Sequence, residues 1–476
     1  MVNPNLMKPP VAPVGLDYLH SVLQQAGFEV RLLELGFSSE VDKEIEHAVD
    51  DSYLFIGISL RNIDDSYFAS QDFCLQKSQE IINKIKRFSR CPIVLGGVGF
   101  SIFPVHAMQY CNAEFGIYGD GELALSMLAR AFREKIDYTS IPGLLYKDRD
   151  NYRFNPARYL DFHKMSLAER DLVDNALYFR EGAMVGFEAK RGCDRRCIYC
   201  ADPVAKGRKI RFRDPRDVAM ELKGLFKQGI THFHTADSEF NVPEKHAKAV
   251  CQAIIDQRLG DKIQWYAYCV PVPFSEELAN LMRQAGCVGI DFTVDSGNDS
   301  QLQRLGHLHR ADDISNLAQL CHGHSFSFMF DLLLGGPGET RHTVKETLEL
   351  MKSLEPTRVG ISLGVRLYPD TPLGEMVKKQ GVTKQNPNLQ GTVDNNRNML
   401  RPIFYLSNEL GDDIESYIAE LIEADSRFLF VSKEQTAQNY NYNDNSRLME
   451  AIKNGYRGAF WDILRRLSEQ GKEGEL

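Results

Sequence analysis

Apolar residues along the chain fall into two successive series. From Val14 to about Arg133, helically spaced stretches alternate with short runs rich in β-branched and aromatic residues. These are a helical pattern at 14–26, FEVRLLEL from Phe28, YLFIGISL from Tyr53, a long helical pattern over about 64–88, PIVLGG from Pro92, FGIYG from Phe115 and a helical pattern at 122–133. Such alternation predicts a parallel sheet with crossover helices on both faces. The opening MVNP reads as the end of a central strand of that sheet. A second series starts at Ala183, with strand-like MVGFEA (184–189), THFHTA (231–236), IQWYAY (263–268), VGIDFTV (288–294), SFMFDLLL (327–334) and RVGISLGVRL (358–367) separated by helical patterns. Six βα units predict a barrel or partial barrel whose chemistry belongs at the carboxyl ends of its strands.

Between the series, LLYKDRDNYRF predicts a hairpin within a linker, and beyond about Leu400 the pattern turns helical. The expected class is α/β: a doubly wound parallel sheet of Rossmann or flavodoxin type (1–135), a linker (136–182), a partial (βα)6 TIM-like barrel (183–398) and a mainly helical C-terminal region (399–476).

At 476 residues and 43% hydrophobic, the chain is too long for one ordinary domain. A net charge of −9 supplies no sequence-wide cationic field, so neither nucleic acid nor an anionic membrane is an expected partner. No window of 18 uninterrupted apolar residues occurs. Of the ten cysteines, seven stand singly at 74, 91, 111, 251, 269, 287 and 321, which is not a disulfide framework and predicts a reducing, cytoplasmic compartment. The other three, Cys193, Cys197 and Cys200, lie together in AKRGCDRRCIYCAD. A structural zinc site closes its shell with four protein ligands, whereas three thiolates on a 4Fe-4S cluster leave one iron open to a non-protein ligand. A three-cysteine zinc site satisfies the same spacing. The motif's place directly after the first barrel strand favours the cluster.

A three-cysteine motif after the first of six βα units resembles the radical S-adenosylmethionine (SAM) superfamily, over roughly 183–370. The resemblance implies that the open iron is chelated by the amino and carboxylate groups of SAM and that Tyr199 meets the adenine. It also implies that Asp237, Ser238 and Glu239 hold the methionyl amine and that Asp295 and Ser296 hold the ribose. Asp295 is one methylene shorter than the glutamate of the commoner family pattern. GGPGET (335–340) is a further landmark, and the basic run KGRKIRFR (206–213) offers either a partner for the SAM carboxylate or a solvated face.

Residues 1–135 resemble the cobalamin-binding domain that precedes such barrels in one large class. GISLRNIDD (57–65), LGGVGFSIFP (95–104) and YGDGELAL (118–125) carry the resemblance and lie at strand ends, where open sheets bind ligands. It implies cofactor-facing roles for Ser59, Arg61, Asn62, Gly96, Gly97, Gly99, Gly121 and Glu122, with glycines letting backbone approach a flat ligand. The Asp-x-His-x-x-Gly signature is absent; DFHKMS from Asp161 lacks the glycine, and His163 is read as structural or surface. Cobalamin without a protein nitrogen on cobalt is therefore expected. Arg61, a guanidinium with no lone pair to give, is the candidate catalytic residue below cobalt, opposing a lower ligand and making the methyl group easier to transfer.

The resemblance implies a methyltransferase for a small organic substrate, with methylcobalamin as donor, SAM renewing it and an electron donor such as flavodoxin or ferredoxin. A cobalamin-containing enzyme that rearranges or cyclises without methylation, and a non-catalytic cobalamin or redox sensor, are the alternatives. A tRNA methylthiolating enzyme is disfavoured by the acidic charge. Aromatic residues in FYLSNEL, NYNYND and RGAFWDIL are available either to a substrate pocket or to the core.

Overall fold

A computed structural model describes residues 1–162, 168–432 and 445–469. The first sheet has the order β2-β1-β3-β4-β5-β6-β7. Its strands are β1 (Val2–Asn3), β2 (Leu33–Glu34), β3 (Ile56–Ser59), β4 (Ile93–Gly96), β5 (Phe115–Ile117), β6 (Leu144–Asp148) and β7 (Asn151–Phe154). Val2 pairs with Leu33 on one side and Ile58 on the other, so MVNP does supply a central strand, two residues long. FEVRLLEL likewise contributes only Leu33–Glu34. The parallel order 2-1-3-4-5 reverses between β1 and β3, and such a switch point opens a crevice beyond the carboxyl ends of those strands.

Two expectations are corrected here. The hairpin β6–β7 pairs antiparallel with β5, so the first sheet continues into the stretch read as linker. The long helix spans Cys74–Phe88 rather than starting near 64. Residues 64–72 instead form a loop, because Asp64 is drawn to Arg366 and Asp65 accepts from Ser70 and from the Tyr67 amide.

The second sheet begins with β8 (Val185–Phe187), after which β9 (Lys190–Arg191) and β10 (Arg211–Phe212) form a small ribbon. It continues through β11 (His232–Thr235), β12 (Gln264–Cys269), β13 (Cys287–Asp295), β14 (Ser327–Leu334) and β15 (Arg358–Leu363). RVGISLGVRL divides at Gly364, whose φ of +80° favours glycine: β15 stays in the barrel, while β16 (Val365–Arg366) joins β17 (Leu389–Gly391) and β18 (Ile403–Tyr405) in a separate antiparallel sheet. Beyond residue 399 the chain is helical at Ile414–Ile422, Ser446–Lys453 and Phe460–Glu469. It also carries β18 and a strand, β19 (Phe428–Phe430), that pairs with β15 as a seventh parallel barrel strand. Among the described residues no helix is long and apolar enough to cross a membrane.

Side chains alternate along a strand. Ile290, Phe292 and Val294 of β13 and Phe328, Phe330 and Leu332 of β14 belong to the main core against the surrounding helices. The intervening residues, Asp291, Thr293 and Asp295 of β13 and Met329 and Asp331 of β14, lie on the opposite, inner face. Near the amino ends of the strands, Tyr266 and Met329 pack on Trp461, Leu464 and Leu448, and Tyr266 donates a hydrogen bond to Asp462 at 2.8 Å. The C-terminal helices thereby close one end of the barrel and leave the carboxyl ends open.

Buried ion pairs hold the two sheets together. Arg170 contacts Asp17 of the first unit at 2.8 Å and Glu221 of the barrel at 2.6 Å, and Arg213 adds a 2.7 Å contact to Glu221. Arg191 reaches Asp120 at 2.9 Å, Glu122 at 3.0 Å and Glu188 at 2.9 Å. Removing one member of such a group leaves a buried charge without compensation, at a cost of about 3–5 kcal/mol. Arg170→Ala should therefore lower the urea midpoint of the full chain markedly; an unchanged midpoint would show that the network contributes little.

Candidate active site at the carboxyl ends of the two sheets

The cysteine loop is fixed from several sides. At Gly192 (φ +98°) a Cβ would fall 2.4 Å from the Lys209 carbonyl oxygen, so only glycine lets the loop lie against residues 207–209. The Cys193 amide donates to Gly207 O at 3.0 Å, the Ile198 amide to Leu305 O at 2.9 Å and the Leu373 amide to Ile198 O at 2.9 Å. All three thiols are free, and burial pushes Cys193 up to about 11. Among the described residues no three His, Cys, Asp or Glu side chains converge on a single-ion position. His307 lies beside the loop, Nδ1 4.0 Å from Cys197 Sγ and Nε2 2.6 Å from Asp295. Burial disfavours its charge, but the Asp295 carboxylate outweighs burial and raises it to about 10.

Two carboxylates beyond β11 keep an oxygen unused. Asp237 accepts from the amides of Ala189 and Lys190 at 2.9 and 3.0 Å, and its second oxygen is buried without a partner. Glu239 accepts from Thr293 at 3.3 Å, and its second oxygen is equally orphaned. Burial pushes Glu239 up to about 8, against the opposing pull of Lys190. Buried acceptors in this state suit a ligand that brings hydrogen-bond donors or positive charge. With three thiols on one loop beside them, the residues present fit a cluster with a bound amino acid.

Asp295 (φ +63°) accepts from Tyr199 as well as from His307. The Ser296 hydroxyl bonds Thr347 at 3.1 Å and accepts from the Asn298 amide, so its side chain serves a turn rather than facing the cavity. In GGPGET, Glu339 accepts from the amides of Gly335 and Gly336 and holds the turn. The run 206–213 divides: Lys206 pairs with Asp202, Arg211 with Asp120 and Arg213 with Glu221, while Arg208 and Lys209 stay exposed.

At the switch point of the first sheet, Ser59, Arg61 and Asn62 line a cleft with Pro4–Met7, Asp72 and Lys77. Arg61 is exposed and donates to Asn62 at 3.1 Å. Asp64 and Asp65, the carboxylates nearest in sequence, are engaged elsewhere. A Cβ on Gly96 would meet only the Ile117 carbonyl oxygen, at 3.9 Å, and neighbouring Val98 is 42% exposed, an apolar rim suited to a flat ligand.

Other predicted residues have different surroundings. A Cβ on Gly97 would lie 2.6 Å from the Leu60 carbonyl oxygen and one on Gly99 2.9 Å from that of Arg61, so these glycines admit protein backbone rather than ligand. Gly121 packs against Leu19. Glu122 is buried in the ion pair with Arg191 and does not face the cleft, because the half-buried arginine between Asp120 and Glu188 draws its carboxylate away. His163 and the segment NYNYND lie outside the described residues.

The structure also assembles residues that the motifs did not point to. His234 of β11 and Tyr268 of β12 stand with ring centroids 4.6 Å apart, and Tyr268 is paired in register with Asp291. Asp291 hydrogen-bonds Asp331, and burial together with that neighbouring carboxyl group raises it far above the usual carboxylate range. The signal lay in VGIDFTV and SFMFDLLL, where an aspartate interrupts an apolar strand at a position of inward parity.

A cobalamin-type switch-point cleft facing a barrel with a three-thiol loop defines the class, a B12-binding domain joined to a radical SAM barrel. Family models agree: the B12 binding domain matches residues 7–129 and the Radical SAM superfamily residues 188–351. The chain is 31% identical over 444 residues to tryptophan 2-C-methyltransferase of Streptomyces laurentii, covering 80% of this chain and 74% of that protein. The radical S-adenosylmethionine methyltransferase TsrM of Kitasatospora setae, solved with tryptophan and a SAM analogue bound, superposes with a TM-score of 0.92 at 30% identity, over 99% of this chain and 98% of that one. The cobalamin-dependent radical enzyme OxsB shares the fold alone, with a TM-score of 0.72 at 17% identity, over 99% of this chain and 70% of that one. The chain belongs to the cobalamin-dependent radical SAM methyltransferases, enzymes that use cobalamin, SAM and a 4Fe-4S cluster on a small-molecule substrate.

Glu239 gives a pH test. Its folded-state pKa of about 8 exceeds the ordinary carboxylate value, so over the interval between them the unfolded chain has lost a proton that the folded chain retains. Stability of the cofactor-free protein from this group falls as pH rises through that window. The melting temperature of Glu239→Gln relative to the parent should rise steadily from pH 5 to pH 8; a constant difference would contradict the assignment.

Proposed function

We propose that the chain methylates tryptophan, or an indole amino acid close to it, at ring carbon 2. The observation that carries this reading is the near end-to-end likeness to a methyltransferase solved with tryptophan bound. Bound methylcobalamin would supply the methyl group, SAM at the cluster would renew it, and the chain would orient both toward one cavity. Cys193, Cys197 and Cys200 would ligate the cluster. The orphaned oxygens of Asp237 and Glu239 would take the α-ammonium group of SAM, with Tyr199 beside its adenine and Asp295 beside its ribose. Ser59, Asn62 and Gly96 would border the corrin. Arg61, exposed in that cleft and unable to donate a lone pair, would oppose a lower ligand.

The partner reading extends to an acidic one-electron donor of flavodoxin or ferredoxin type. Arg196, Arg208, Lys209, Arg304 and Arg310 are exposed around the cysteine loop, with Leu308, 70% exposed, among them. Contacts of Gly306 with the Arg196 carbonyl and of Arg208 with the Arg195 carbonyl bring these segments together. A cationic patch on a chain of net charge −9 favours an anionic partner beside the cluster. Unpaired thiols throughout support a reducing, cytoplasmic setting.

Anaerobic protein reconstituted with iron, sulfide and cobalamin should convert SAM and tryptophan to S-adenosylhomocysteine and 2-methyltryptophan. A rearranged product without an added methyl group would refute the assignment. Replacing all three loop cysteines by alanine should abolish iron–sulfur absorbance while cobalamin still binds. Arg61→Leu should keep cobalamin yet slow methyl transfer about tenfold or more. The double reversal Arg196→Glu, Arg208→Glu should slow reduction by flavodoxin and leave reduction by a small chemical reductant unchanged; equal rates with flavodoxin would place the donor elsewhere.

A further inference from the structure

The inner face of the barrel contains an acidic pair that none of the roles above uses. Asp291 on β13 and Asp331 on β14 come from neighbouring parallel strands, where Asp331 is in register with Thr293, two residues beyond Asp291. Both side chains lie on the inner face, where burial and then the neighbouring Asp331 carboxyl group disfavour charge on Asp291. The remaining oxygen of Asp291 is buried and has no partner. Asp331 is half-buried, so the pair is not sealed within the core.

Glu239, from the loop after β11, adds negative potential at Asp291. Arg61, reaching over from the first sheet, is near enough to Tyr268 to influence its phenol and is a cation of the corrin cleft. Lys190 acts mainly on Asp237 and Glu239. The pair therefore lies below the mouth where Asp237 and Glu239 stand, flanked by the aromatic side chain of Tyr268, its neighbour in register on β12. An orphaned acidic oxygen beside an exposed aromatic ring matches a ligand that carries a cation a few bonds from an aromatic system.

We infer that Asp291 and Asp331 form the subsite for the α-ammonium group of the amino-acid substrate, an inference that rests on the indole amino-acid reading above. Asp237 and Glu239 are left for the ammonium group of SAM, so the two cationic groups occupy separate acidic pairs. The subsite makes the enzyme selective for an amine-bearing indole over an indole acid.

Equilibrium dialysis of the anaerobic holoenzyme against tryptophan, tryptamine and indole-3-propionate tests this. The parent should bind tryptophan at least about tenfold more tightly than indole-3-propionate, a difference of about 1.4 kcal/mol. Tryptamine, which keeps the ammonium group, should lose less. In Asp291→Asn and Asp331→Asn the preference for tryptophan over indole-3-propionate should collapse, while cobalamin and cluster absorbance and SAM binding stay at parent levels. Equal binding of tryptophan and indole-3-propionate by the parent, or full preference retained in both variants, overturns the subsite. If a variant loses its cofactors, the parent comparison alone decides. Binding of none of the three compounds by the parent removes the tryptophan reading and the subsite with it.

Discussion

The site depends on the buried charges that join the two α/β units. Each unit carries its candidate ligand-facing residues at the carboxyl ends of its strands, and those ends can serve one reaction only if the sheets are held in a fixed relation. Hydrophobic contact is non-directional, so it brings the units together without fixing their angle. Buried ion pairs do fix it, because a charge withdrawn from water is tolerated only where its partner stands. Arg170 between Asp17 and Glu221, and Arg191 between Asp120, Glu122 and Glu188, meet that condition. Arg191 is also two residues before Cys193, so the contact that sets the angle between the units also anchors the start of the cysteine loop.

Inside this frame the barrel concentrates negative charge. Asp237 and Asp295 are buried at the carboxyl ends of β11 and β13 and Asp291 midway along β13, with Glu239 and Asp331 half-buried beside them. Lys190 bears on Asp237 and Glu239, and His307 on Asp295. Orphaned oxygens on Asp237, Glu239 and Asp291 mean that folding leaves hydrogen-bonding capacity unmet. Such groups lower stability and are retained where ligands complete them, so a local departure from good packing rules marks the site.

Much of the fold was legible because buried parallel strands are short apolar runs between turn signals; SFMFDLLL (327–334) coincides with β14 to the residue. Elements fixed by distant partners were not legible. The helix expected from 64 is cut short because Asp64 pairs with Arg366, about three hundred residues away in sequence. β19 exists because β15 offers it an edge, which a local helical pattern does not reveal. At the site, the cysteine spacing and the DSE triplet were readable as motifs. Glu122 was misread because its neighbours in sequence suggest a cofactor loop while its partner, Arg191, lies in the other unit. Gly97 and Gly99 look like ligand-binding glycines, yet the atoms they accommodate are carbonyl oxygens of residues 60 and 61.

The loop that those glycines admit shows how both cofactor sites come to share one geometry. Residues 60–72 leave β3 beside the switch-point cleft and then run against the small sheet that follows the barrel. There Asp64 meets Arg366 at 2.6 Å, Ser66 shares a 2.7 Å hydrogen bond with Tyr368, and Phe68 packs edge-on to Phe404 at 5.4 Å. These contacts belong to the small sheet that begins where Gly364 turns the chain out of the barrel, and the same region reaches the cysteine loop through the Leu373 amide and Ile198. A shift of that sheet would move Arg61 and Cys197 together. The switch-point cleft and the thiol loop thus share a second common support, in addition to the direct ion pairs of Arg191 with Asp120 and Glu122, and two independent sets of contacts fix the spacing between them.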